Sequence, residues 1–272
     1  MTTWSLQAIR IRSITLCILF LKGSLMAEEP SDSSTLPDFD KLWNYEQPEE
    51  TEKVFRKILP IARASGDSDY LAQLITQIAR TNSLRREFEA SHSLLDEAEK
   101  MLSPETPIGR VRYLLERGRT HNSAQQLQEA STHFREAFEL ADSLGQDFHA
   151  VDAAHMMGIV KKGDIALQWN ERAMKVAEAS ADERAKRWLG ALYNNTGWTY
   201  HDSGSYERAL ELFEKGLAWR KERGDGKPTL IRQVDHRANI TFIAANRRGS
   251  RAPIAPFRRV QGLRIRQDGY VL

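Results

Sequence analysis

The residues that first invite a chemical reading are three histidines, His121, His155 and His201, the last followed directly by Asp202. An imidazole beside a carboxylate can move a proton, and two or three imidazoles can hold a transition metal. The spacing argues against both uses. The sequence has no His-Glu-x-x-His, no paired Glu-x-x-His and no glycine-rich phosphate loop. The three histidines fall on the first helices of successive helical hairpins, which sets equivalent residues about two helix diameters, roughly 20 Å, apart. His121 also occupies a packing position that Tyr200 holds in another hairpin, so a core role is expected for it. The single cysteine, Cys17, excludes an internal disulfide and a cysteine-based zinc site. No catalytic residue, metal or cofactor is expected, and the chain reads as a binding protein rather than an enzyme.

The elements that carry these residues follow from composition and periodicity. At 272 residues, 41% hydrophobic and 28% charged, the chain can bury an ordinary core. A net charge of +2 gives no general reason for binding nucleic acid or an anionic membrane. The charge is unevenly spread, because the segment from Gln233 onward holds eight Arg, no Lys and two acids, leaving the body mildly acidic.

Four segments are expected. Residues 1–27 are signal-like or wrongly assigned: Arg10 and Arg12 precede the apolar run Ser13–Leu21, but Lys22 interrupts it and Leu25 fits a cleavage site poorly. The run is too short to span a bilayer. If Met26 rather than Met1 is the start, a cytoplasmic protein is expected; the alternative is export through a signal ending near Ala27. Residues 28–41 are a polar Pro/Ser-containing linker, residues 42–232 a helical repeat domain, and residues 233–272 an Arg-rich irregular tail.

Within 42–232 apolar residues recur at i, i+4 and i+7 between short turns. The clearest unit, Tyr193–Leu217, places Tyr193, Gly197 and Tyr200 on one helix, Gly204 and Tyr206 at the turn, and Ala209, Phe213, Gly216 and Leu217 on the next. Leu114–Phe138 repeats that register with Leu114, Gly118, His121, Leu127, Ala130, Phe134, Ala137 and Phe138. A third unit, Ile75–Ala98, and a fourth near Val151–Ala177, with a shortened turn at Lys161-Lys162-Gly163, complete the series behind a lone entry helix at Thr51, Phe55 and Ile58. The chain resembles the tetratricopeptide repeat family, in a bacterial-type form with repeats of about 40 residues. The small second-helix positions Thr51, Ser91, Ala130, Ala166 and Ala209 lie 40, 39, 36 and 43 residues apart, so helices longer by about a turn are expected.

The resemblance implies an all-α, right-handed superhelical solenoid of antiparallel helix pairs that binds a protein or peptide along its concave face. It places that face on Asn194, Asn195, Trp198, His201 and Asp202 in the best unit, on Arg112, Arg119 and Asn122 in the second, and on Arg80 in the first. Asn195 could bond an extended peptide backbone through its amide, and Trp198 offers a flat anchor. Arg80, Arg112 and Arg119 could grip a carboxylate, partly offset by Glu116. Two alternatives concern the tail: nucleic acid or an acidic surface could bind its arginines, or a frame change near Gln233 could have yielded a poorly functional product. A solenoid without a capping helix also invites self-association.

Overall fold

The computed structural model describes residues 36–224, 230–234 and 240–244. A 3-10 turn at Phe39–Leu42 leads into ten helices: α1 (Pro48–Ala64), α2 (Ser68–Leu84), α3 (Phe88–Glu99), α4 (Pro107–Ser123), α5 (Leu127–Ser143), α6 (Asp147–Val160), α7 (Gly163–Ala179), α8 (Glu183–Lys186), α9 (Leu189–Asp202) and α10 (Tyr206–Glu222). Local chemistry sets several starts. Pro48 and Pro107 occupy the first turns of α1 and α4, where a missing N–H costs nothing, and Asp67 caps α2 by accepting from the Tyr70 N–H at 2.9 Å.

The helices form an all-α solenoid in which each packs on its neighbours: α2 with α3, α4 with α5, α6 with α7 and α9 with α10, with α1 lying on α2. The small residues of the repeat register hold these pairs close. A Cβ on Gly118 would come within 2.6 Å of the Phe134 ring, and one on Gly197 within 2.6 Å of the Phe213 ring, so the same ring lies against the same bare backbone in both hairpins. Both rings are fully buried. In the α6–α7 pair Gly158 faces the side chain of Asn170 instead, and Lys161-Lys162 makes the shortened turn that the sequence implies.

In three of the hairpins the turn between first and second helix keeps one backbone form whatever residue fills it, whereas the shortened α6–α7 turn runs through extended Lys161 and Lys162. Gly204 has φ +82°, and Gln125 and Arg86 take φ +66° at the corresponding turns, a left-handed conformation that costs a side-chain-bearing residue about 1 kcal/mol or more.

Three expectations are corrected by the chain path. The longer repeats do not come from uniformly extended helices: α1, α2, α4, α5, α7 and α10 have 17 residues each, about 25 Å, but α3 has 12 and α6 and α9 have 14. Part of the extra length sits in connections, namely the loop of residues 100–106 and the short α8. The linker expected to reach residue 41 is already structured before its end, because Phe39 is buried against Phe55 and Tyr70. The start of the tail is not irregular either: β1 (Leu230–Val234) pairs antiparallel with β2 (Ile240–Ala244), and β1 runs beside α10. The signal-like segment, Cys17 and all eight arginines behind the nucleic-acid and frame-change readings lie outside the described residues.

Candidate functional site

The first helices α2, α4 and α6 turn a row of buried polar side chains toward one another. Glu116 on α4 is the hub: Arg80 of α2 reaches its Oε2 at 3.2 Å, and Arg119 and Gln77 reach its Oε1 at 2.7 and 3.5 Å. Arg119 extends the row by pairing through one Nη with both carboxylate oxygens of Asp152 on α6. Arg112, one turn before Glu116 on α4, pairs with Asp40 from the N-terminal segment and stacks over the Phe39 ring at 5.3 Å. Arg80, Arg112, Glu116, Arg119 and Asp152 are all buried, so these charges meet each other and little water.

A cavity of about 50 Å³ lies among these groups, with Tyr45, Leu115, Phe148 and His149 also in its wall. Its formal charge is balanced, with Arg80, Arg112 and Arg119 against Asp40, Glu116 and Asp152. Burial, then the nearby Arg112, Arg184 and Arg119, hold the His149 imidazole well below its ordinary pKa and therefore neutral. The arginines expected to grip a partner's carboxylate are thus already engaged. Their cationic ends are consumed because the cross-helix carboxylates are brought within contact by the solenoid's own packing. Asn122 shares their helix and is buried, its carbonyl accepting from the Gln125 N–H.

The α9 residues form a separate group. Asn194 and Asn195 are half-buried, and the Asn194 Nδ2 donates weakly to the Asn195 Oδ1 at 3.3 Å. Trp198, also half-buried, packs edge-on to Phe213 at 5.3 Å and to His201 at 5.5 Å. His201 is buried and its Nδ1 lies 3.0 Å from the exposed Asp202. Trp198 is therefore both a packing residue and a partly open surface.

The histidines do not come together as a reaction centre. His155 is fully buried beside Trp188 with neither ring nitrogen bonded, and burial pushes its pKa down to about 4, against a smaller upward pull from Asp152. His121 is not a closed core residue: it is half-buried and sandwiched between His92 and His133, at 4.9 and 5.4 Å between ring centres. Among the described residues no group of three His, Cys, Asp or Glu side chains is placed to hold a metal ion. No helix among them is long and apolar enough to cross a membrane.

Residues 189–222, spanning α9 and α10, match the family model of the tetratricopeptide repeat. The α9–α10 hairpin is a tetratricopeptide repeat. No curated protein matches the sequence. The fold is similar to the crystal structure of BtubC (BKLC) from P. vanneervenii, with 15% identity and a TM-score of 0.52 over 70% of this chain and 79% of that one. It is similar as well to aspartyl phosphate phosphatase F from Bacillus subtilis, with 18% identity and a TM-score of 0.54 over 66% of this chain, which spans about half (49%) of that protein. At such identities the likeness establishes a shared tetratricopeptide-type architecture and leaves activity to be argued from the residues.

Asp40, Tyr45, Asp152 and His149 are the site members that sequence reasoning passed over. The signal available for Asp152 was an acid on the third first helix, facing an Arg-rich column. For Asp40 no local signal existed, since its partner is 72 residues away.

Proposed function

We propose that this tetratricopeptide-type chain is a non-catalytic scaffold that binds a protein or peptide segment along its inner face. The contact residues are Asn194, Asn195, Trp198, His201 and Asp202 of α9, with Arg112, Arg119 and Asn122 of α4 and Arg80 of α2 shaping the surface beside them. One observation carries this reading. On α9 two adjacent, half-buried amides bond only weakly to each other, and the Asn195 Nδ2 has no partner among the described residues. An amide with spare donors and an acceptor beside a partly open indole suits an extended backbone, whatever side chains that backbone carries.

Because Trp198 packs on Phe213, truncating it would disturb the hairpin. The discriminating variant is therefore Asn194→Ala with Asn195→Ala. Capture of cellular partners by the full chain, read by mass spectrometry, is expected to lose at least one partner about tenfold in the variant while the melting temperature stays constant. Equal capture by both chains would move the site off α9.

A further inference from the structure

We propose that residues 39–45 are a resident pseudo-ligand of the inner face, and that the surface under them accepts in trans a segment presenting an aromatic side chain followed directly by a carboxylate. The proposal rests on the inner-face reading above and adds the partner's chemistry and a means of regulation.

Among the described residues no first helix precedes the entry helix α1, and its apolar side takes a cover from the segment ahead of it. Phe39 supplies one, with its ring 6.1 Å from Phe55 and 5.1 Å from Tyr70. Covering α1 would not require the segment to go further, yet it does. Asp40 pairs with Arg112 on α4, the Trp43 indole N–H donates to Gln77 Oε1 at 3.0 Å, and the Tyr45 ring lies 5.8 Å from the Arg80 guanidinium. Gln77, Arg80 and Arg112 are all inner-face residues of first helices. The segment therefore lies where a ligand of this fold would lie.

Arg112 reads two successive residues of that segment at once, stacking on the Phe39 ring and pairing with the Asp40 carboxylate. Asp40 is its only carboxylate partner among the described residues. With Asp40 seated, three arginines balance three carboxylates in the cavity wall; with Asp40 lifted away, Arg112 loses its carboxylate and the site carries one net positive charge. A guanidinium left without its carboxylate, beside two other arginines, favours the return of a carboxylate, its own or a partner's.

Exchange is feasible because the segment is lightly held. The Asp40 side chain is 36% exposed, and Lys41, Leu42 and Asn44 are exposed. Ahead of Asn44, backbone attachment to the helices among the described residues is one bond, from the Tyr70 hydroxyl to the Pro37 carbonyl at 2.7 Å. Asn44 is then pinned through both its N–H and carbonyl to the Thr51 hydroxyl, at 3.1 and 3.0 Å, which makes it the pivot. Short segments with few backbone bonds open locally without global unfolding.

The test uses a fluorescent peptide of residues 36–47, LPDFDKLWNYEQ, titrated onto full-length chains. The opened variant, Phe39→Ala with Asp40→Ala and Trp43→Ala, is expected to bind it about tenfold more tightly than the parent, because the ring and carboxylate that engage Arg112 in cis are both removed. Adding Arg112→Ala should abolish that gain, as should replacing the peptide's aspartate at position 40 with asparagine. If Arg112→Ala fails to fold, the exchange Asp40→Arg with Arg112→Asp re-forms the contact, and such a chain should bind the peptide no better than the parent. Equal binding by parent and opened chain, or a gain that persists without Arg112, would overturn the proposal. Loss of a captured partner in the Asn194→Ala, Asn195→Ala variant is read separately, so the resident-segment proposal can fail while the inner-face scaffold stands, and the reverse.

Discussion

Helices α4 and α9 occupy the same place in their hairpins, each with a glycine against a phenylalanine ring, yet their inner faces are chemically opposite. Two residues before that glycine α4 carries Glu116 and α9 carries Asn195; one residue after it α4 carries Arg119 and α9 carries Trp198. On α2 the same two positions are Gln77 and Arg80, the glycine's place being taken by Ala79. On α2 and α4 the positions are tied into a buried ion-pair row, whereas on α9 they are neutral and half-open. Register thus fixes where a side chain stands, and the neighbouring helices decide whether it is tied into the fold or left partly open.

The largest way to break this comparison is Arg119→Ala. It strips Asp152 and half of Glu116 of their buried partner and should cost about 3–5 kcal/mol in chemical denaturation. A loss under about 1 kcal/mol would mean the row is solvated and the contrast with α9 is false. A pH series comes next. The His155 pKa is pushed down to about 4 from 6.5 by burial, so the unfolded chain takes up its proton first as pH falls. Stability attributable to this residue is intact above pH 6.5 and declines between 6.5 and 4, by up to about 3 kcal/mol. His155→Leu should flatten that decline relative to the parent.

The packing that α4 and α9 share is probed by Gly118→Ala and Gly197→Ala. Each new methyl would press on a phenylalanine ring and should cost about 1–3 kcal/mol, by similar amounts in the two hairpins. A large cost in one alone would show that the hairpins are not equivalent. Gln125→Gly should raise stability by up to about 1 kcal/mol, since it relieves the left-handed strain that Gly204 already avoids. Smallest of all, Asn195→Ala should leave the denaturation midpoint within about 0.5 kcal/mol of the parent. Arg119 and Asn195 then mark the two ends of the scale.

The sequence showed most clearly what depends on local repetition. Gly118 with Phe134 and Gly197 with Phe213 were legible because one spacing occurs twice, and the short turn at Lys161-Lys162 because a missing turn of helix shifts the pattern visibly. The first-helix positions of Arg80, Arg112 and Arg119 were legible too, but not their engagement, which depends on carboxylates delivered by other segments. Asp40 sits in a polar stretch whose one aromatic residue gives no periodic signal, and its partner Arg112 is set by the stacking of α2 and α4. The short α8 shows only as a longer step between Ala166 and Ala209, and the β1–β2 ribbon, lying after the last hairpin, has no repeat to betray it.

The ion-pair row also bears on how the chain lets go of its structure. In a solenoid each hairpin folds on its neighbour, so early stages need only adjacent contacts. The Glu116–Arg119 contact forms within α4, but the row is complete, with Arg80 on Glu116 and Asp152 on Arg119, only when α2, α4 and α6 are all docked. Interactions completed that late add little to the rate of folding and act instead as a brake on unfolding. The front of the molecule should consequently be long-lived once formed, with the α9–α10 hairpin exchanging its amide protons sooner.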